Sequence, residues 1–257
     1  LSKEKYQITR KSDFLCLTIL LHDLRCFDEE LSEPIENTDT LLHKMRYTRN
    51  VFVSLHNLKD TIKRIRIDGD TQFTSKTRSI KQDLNFIVHI RNKGVGHLDR
   101  PLMERAAQWV PELFHENTHE NDNSLTLLSY KAMLESTINS YLNEEGQQKV
   151  FGTEIDFFYP PDAEIFFEFL SDIVKRSITW LEYAREIIRS EIDLHSDDKI
   201  QEMGAISGKT NFNLKVESDF TFSEEEMVES IMSAIDKMRK LGVEAKVIEF
   251  LESKVLK

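Results

Sequence analysis

The chain has 257 residues, 40% hydrophobic and 31% charged, a balance that fits a folded globular protein and excludes an intrinsically disordered one. No apolar run approaches the roughly 20 residues of a membrane span, and only 8 Gly and 5 Pro favour long helices over strands and tight turns. The net charge of −11 argues against indiscriminate nucleic-acid binding, yet between His43 and Arg100 there are 13 Lys and Arg against 5 Asp and Glu. That basic segment is suited to drawing in a polyanion, with the acidic remainder restraining non-specific contacts. The opening Leu1-Ser2-Lys3-Glu4-Lys5 has no secretory apolar core, and with only two cysteines, Cys16 and Cys26, a reducing cytoplasm is the expected location.

The first helix is expected over residues 11–30, with Phe14, Leu17, Leu21 and Leu24 on one stripe. Cys16 and Cys26 both fall in it, about 15 Å apart along its axis, too far for a disulfide. A long second helix over 38–66 turns Leu41, Met45, Phe52, Leu55, Ile62 and Ile65 inward, and Asp68-Gly69-Asp70 ends it. A third is expected over 75–92. Its stripe of Ile80, Leu84 and Ile87 leads, at about 100° per residue, to Arg91. Asp99 and Pro101 mark the start of a short fourth helix whose inner face is Leu102, Ala106, Trp109, Val110 and Leu113.

Residues 115–123 read as a polar loop, followed by a fifth helix from Ser124 that carries Leu127, Leu134, Ile138 and Tyr141. Pro160-Pro161 precedes a sixth over 162–192, with Ile165, Phe169, Ile173, Trp180, Ala184 and Ile188 inward. Residues 196–210 have the texture of a linker. Beyond them a short strand is expected over 212–216, where Phe212, Leu214 and Val216 alternate with polar residues. A helix then opens at the capping box Ser223–Glu226 and stops near Gly242, and a last one runs to the C-terminus. The expected fold is all-α: a helical bundle over residues 1–195 and a small module of one strand and two helices over 196–257.

Chemistry concentrates in Arg91-Asn92-Lys93-Gly94-Val95-Gly96-His97. An arginine inside an apolar stripe must find a partner or line a cavity, because an unpaired buried charge is costly. Two glycines then break the helix and return an imidazole toward that cation. A guanidinium that stays charged beside an imidazole that titrates is suited to handling an anion. Arg49 with His56, and Arg189 with His195, have similar spacing but lack the glycine break.

The string Ile90-Arg91-Asn92-Lys93-Gly94-Val95-Gly96-His97-Leu98-Asp99 resembles the signature of the HEPN superfamily, and within it the abortive-infection-type proteins. That signature is Arg, a polar residue that is often Asn, a few more residues and a His, set between two helices of a bundle. The resemblance is close over about ten residues and loose over the helical layout to residue 195. It implies a metal-independent endoribonuclease, without cofactor, that acts as a homodimer with two motifs in one cleft. The role implied is phage defence or toxicity, with an inhibitory protein as a possible further partner.

The expected catalytic residues are Arg91, His97 and Asn92. Arg91 would grip the phosphate, His97 would act as general base or acid, and Asn92 would orient His97 or touch the phosphate. Transesterification by the 2′-hydroxyl would leave a 2′,3′-cyclic phosphate and a 5′-hydroxyl. Lys93, Lys81 and Arg78, within the basic segment, are the candidate RNA-binding residues. The chain departs from the signature at Gly96, where many relatives carry a small apolar or bulkier residue, and at Asp99, where a Tyr is usual. Asp99 is expected to cap the next helix.

Two other readings stand beside this one. A HEPN-like domain without activity would be a binding scaffold. His115-Glu116-Asn117-Thr118-His119 also spells the HExxH pattern of zinc metallopeptidases, with His115 and His119 as ligands and Glu116 as base. That chemistry needs both histidines on one helix face and a third ligand, for which Glu135 and Glu144 are the candidates.

Overall fold

Long amphipathic helices without a sheet partner bury their apolar stripes against one another, and the chain is all-α. A computed structural model describes residues 3–207, 210–213, 232 and 235–248. The chain divides into two units, Leu1–Ile192 and Asp193–Lys257. The first contains α1 (Lys3–Ser32), α2 (Thr38–Arg64), α3 (Thr71–Lys81) and α4 (Asp83–Ile90), then a π turn (Arg91–Val95). After these come α5 (Arg100–Trp109), a 3₁₀ turn (Pro111–Phe114), α6 (Glu116–His119), α7 (Asp122–Asn139) and α8 (Pro160–Glu191). The second unit contains α9 (Asp197–Ser207).

Helix starts follow local chemistry. The Asn37 side chain accepts from the Thr40 amide while Thr40 returns a bond to the Asn37 amide, fixing the first turn of α2. Asp70 caps α3 by accepting from the Phe73 amide at 2.8 Å, and Asp99 caps α5 through the Leu102 amide at 3.2 Å. Inside the first unit α1 packs along α8 and α2, α3 along α8, and α5 along α7. The second helix is central, meeting α4, α7 and the π turn. The core holds Leu17, Leu24, Phe52, Leu55, Ile87 and Trp180, all essentially without solvent exposure.

Several elements differ from expectation. The third helix is two, with a turn at Gln82 between α3 and α4, and its last turn is π rather than α. Of the loop expected over 115–123, residues 116–119 form a short helical turn, and residues 111–114, around the Leu113 expected on the fourth helix, form a separate 3₁₀ turn. The fifth helix begins at Asp122 and ends at Asn139, short of Tyr141. Ile165 and Trp109, expected inward, are 49% and 45% exposed. Both cysteines are free.

In the second unit, α9 occupies the segment expected to be a linker. Of the expected strand, residues 212 and 213 have no regular structure and the rest lie outside the described residues, as does the capping box Ser223–Glu226. Gly242, at φ 75°, follows a helical stretch over 235–240, as expected of a stop signal. Among the described residues of the first unit the sole extended pairing is an isolated antiparallel bridge between Leu142 and Gln148.

Candidate functional site

The segment after α4 turns on two glycines with different tasks. Gly94 is buried against α7, and a Cβ there would fall well inside contact distance of Thr137 Oγ1. This close approach lets the chain widen from i−4 to i−5 hydrogen bonding, and the Gly96 amide donates to the Arg91 carbonyl at 2.7 Å. Gly96 then lies on the Arg91 side chain, where a Cβ would stand 3.1 Å from Cζ and 3.2 Å from Nε. The Asp99 amide closes the reversal onto the Lys93 carbonyl at 3.0 Å.

Arg91 is half-buried, not interior. Its Nη1 donates to Asn92 Oδ1 at 3.1 Å, and it forms no carboxylate ion pair among the described residues. Most of its donors therefore remain for an external anion. Asn92 thus holds Arg91, the neighbour it was not expected to orient. His97 is exposed one residue beyond Gly96, and its charge adds to the lowering of the Asp99 carboxyl. No hydrogen bond joins the Arg91 and His97 side chains among the described residues. Asp99 is committed elsewhere, to capping α5 and to an ion pair with Lys93 at 2.8 Å. The Lys93 bond holds its carboxyl below the ordinary carboxylate range.

The second helix runs antiparallel to this segment, as three contacts in reverse order establish. Arg49 Nη2 donates to the Val95 carbonyl at 3.2 Å, His56 lies within charge reach of Arg91, and Lys59 Nζ donates to Asn85 Oδ1 at 2.8 Å. Arg49 also stacks over Tyr130, with Cζ 5.8 Å from the ring centroid. His56 faces Asp60 at 3.9 Å. Burial pushes its pKa down, Asp60 pulls up, and Arg91 adds to the lowering. His56 therefore joins Arg91 in space although its sequence match was to Arg49. The available signal was the seven-residue spacing of Arg49 and His56, which puts them on one face of α2.

The candidate RNA-binding residues do not form one patch. Lys93 points into a cleft between the π turn, α5 and α7. Lys81 and Arg78 line another with Arg66 and Asn85, near the start of α4. Neither Arg91 nor His97 lines either of these two clefts.

The HExxH string lacks the helix it needs. His115 is the N-cap of α6, its Nδ1 accepting from the Asn117 amide at 3.2 Å, and the turn ends at His119 after four residues. Among the described residues no group of three His, Cys, Asp or Glu is placed to hold a metal ion. Glu135, considered as a third ligand, is wholly buried and otherwise engaged. It accepts from Trp109 Nε1 at 2.7 Å, Lys131 Nζ at 2.9 Å and the Phe157 amide at 2.6 Å. Burial raises its pKa against the pull of those three donors. Burial alone would lower that of Lys131, but Glu135 and Asp156 hold it above the ordinary value.

Comparison with protein-family models, curated proteins and solved structures finds no match to the chain. Among the described residues no helix is long and apolar enough to cross a membrane.

Proposed function

We propose that the chain is a metal-independent endoribonuclease of the HEPN type. The observation that carries this reading is the half-buried Arg91 guanidinium, without a carboxylate partner among the described residues, pressed against Gly96 one residue before an exposed His97. A phosphodiester supplies the oxygens such a cation lacks, and Arg91 binds its non-bridging pair. His97 removes the proton of the 2′-hydroxyl. The 2′-oxygen then bonds to phosphorus, and the bond to the 5′-oxygen breaks as that oxygen gains a proton. Charge gathers on the non-bridging oxygens in the transition state, where Arg91 grips most strongly.

One exposed imidazole performs half of this proton traffic. A homodimer that brings two motifs together supplies the second and covers Arg91. The defence or toxin role, the inhibitory protein partner and the cytoplasmic location rest on the resemblance of residues 90–99.

The test is incubation with single-stranded RNA in excess chelator, with the products analysed at their ends. Cleavage to a cyclic phosphate that persists in chelator and falls at least about 10²-fold in His97→Ala, the scale of one acid–base group, supports the reading. Equal cleavage by the wild type and the variant overturns it. RNA binding without cleavage in either protein favours the scaffold.

A further inference from the structure

The cleft on the other side of the π turn has a volume of about 690 Å³, within the range that encloses a small molecule. Its walls come from α4, the π turn, α5 and α7, and include His89, Lys93, Arg105, Trp109 and Ser136. Three features separate it from an ordinary surface depression.

First, Trp109 is 45% exposed while its Nε1 is tied at 2.7 Å to the buried Glu135. Glu135 is in turn fixed by Lys131 and the Phe157 amide. A large aromatic face is thus presented to solvent and its orientation locked from behind. Second, Arg105 stands one helical turn before Trp109 on α5, on the same face, exposed and without an ion pair among the described residues. Lys93 lines the same cleft from the π turn, where it is paired with Asp99 at 2.8 Å. Third, Ser136 in the cleft wall is nine-tenths buried, yet its hydroxyl has no hydrogen-bond partner among the described residues. A buried hydroxyl left unpaired is costly, and a polar group of an occupant of the cleft would satisfy it.

The other polar groups of the lining are mostly committed. His89 Nε2 lies 2.9 Å from Ser140 Oγ, and Asp99 pairs with Lys93. Asn139 exchanges hydrogen bonds with the Ile155 backbone. Glu154 remains as an acceptor for a ring or amino N–H.

A rigid aromatic platform, two cations and a spare hydroxyl match an aromatic base carrying a phosphate. We propose that this cleft binds one nucleotide, its base stacked on Trp109 and its phosphate held by Arg105 and Lys93. The site is separate from Arg91 and His97 and does not depend on cleavage there. The nucleotide is either a free mononucleotide or one unit of a single-stranded RNA, and both present the same base and phosphate.

Trp109 supplies its own reporter, because Trp180, the other tryptophan, is fully buried. The full chain is titrated with adenosine 5′-monophosphate and with a 2′-O-methyl RNA oligonucleotide, which cannot undergo transesterification. Saturable quenching of the exposed indole is expected. Calorimetry should show binding weakened about tenfold in Trp109→Ala, within the range for loss of one stacked base. A similar loss is expected in Arg105→Ala, an exposed change that leaves the Glu135 network intact. Binding should be unchanged in His97→Ala, so this proposal can fail or survive independently of the nuclease reading. Tighter binding of the oligonucleotide assigns the site to an RNA strand, and equal or tighter binding of the monophosphate assigns it to a free nucleotide. Absence of quenching by either at millimolar concentration, or binding indifferent to Arg105→Ala, overturns the proposal.

Discussion

The α-carbon of Gly96 rests on the guanidinium of Arg91, leaving 3.1 Å between Cζ and the position a β-carbon would take. Gly94, two residues earlier, makes its close approach to Thr137 instead. Alanine at the two positions should therefore fail in different ways. Gly96→Ala presses on the Arg91 guanidinium, which can move, and on the Arg91 carbonyl at the same 3.1 Å, so the turn must give slightly. On this exposed segment the fold should survive with a loss near the low end of about 1–3 kcal/mol, while the proposed RNA cleavage drops sharply. Gly94→Ala overpacks against α7 and should cost about 1–3 kcal/mol. Denaturant midpoints measured beside cleavage rates separate the two, and equal effects on both quantities from both variants would contradict this assignment.

His56 and Arg91 form a second relationship that can be measured directly. Burial lowers the His56 pKa first, and the Arg91 charge adds to it against Asp60. In Arg91→Ala the His56 pKa should rise, as followed by the imidazole resonances in an NMR titration. A value unchanged by that substitution would place the two groups farther apart than the fold has them.

Acid stability follows from His56 and His89. Burial lowers the pKa of His89, with Lys93 adding to the effect. Each imidazole therefore binds fewer protons in the folded chain than in the unfolded one, where its pKa is about 6.5. Their contribution is fully present above that value and is lost as pH falls through the folded pKa. Stability should thus decline as pH falls from about 6.5 toward the lowered folded pKa values, and His89→Gln should flatten the decline. A slope unchanged in the variant would count against His89 as its source.

Lys131 and Glu135 are a buried pair at 2.9 Å, with Asp156 also 2.9 Å from Lys131. Removing one partner leaves the other charge uncompensated, which typically costs about 3–5 kcal/mol. Lys131→Met should show a loss of that order in urea unfolding and should loosen Trp109, visible as a red shift of its emission. A loss below about 1 kcal/mol would mean that water reaches the pair.

Arg49 clamps the π turn by donating to the Val95 carbonyl, while its buried Nε has no partner among the described residues. Arg49→Met keeps the stem and removes the clamp. Hydrogen exchange at the Gly96 amide should quicken while amides of α8 keep their protection. Unchanged exchange at Gly96 would assign the strength of the turn to Gly94 alone.

The long helices were legible because their stripes repeat at helical spacing, as with Leu17, Leu21 and Leu24 in α1 or Ile173, Trp180 and Ile188 in α8. Helix α7 carries a weaker signal, for it buries Lys131, Glu135 and Thr137 as well as Leu134 and Ile138. In sequence Lys131 and Glu135 have the spacing of a solvated pair one turn apart, and burial is a tertiary property that such spacing does not encode. Trp109 was read inward from its helical phase, and the bond to Glu135 turned its ring partly outward. At the motif, the two glycines predict a break that returns His97 toward Arg91, whereas it is Gly96 that lies against the guanidinium, with no hydrogen bond between the Arg91 and His97 side chains among the described residues. The change from α to π hydrogen bonding was not legible, since it alters no residue type. Phase assigned beyond Ile90 on α geometry was therefore displaced.

That displacement gives the spacing of the motif its meaning. A π turn holds roughly one residue more than an α turn, equivalent to a rotation of about 100° for everything downstream. Excising a single residue between Arg91 and Gly96 would let the ladder revert to ordinary helix and swing the following imidazole to another side of the bundle. The composition would scarcely change, but His97 would leave its present place relative to Arg91. In this chain, counting residues between Arg91 and His97 is a measurement of angle as much as of length.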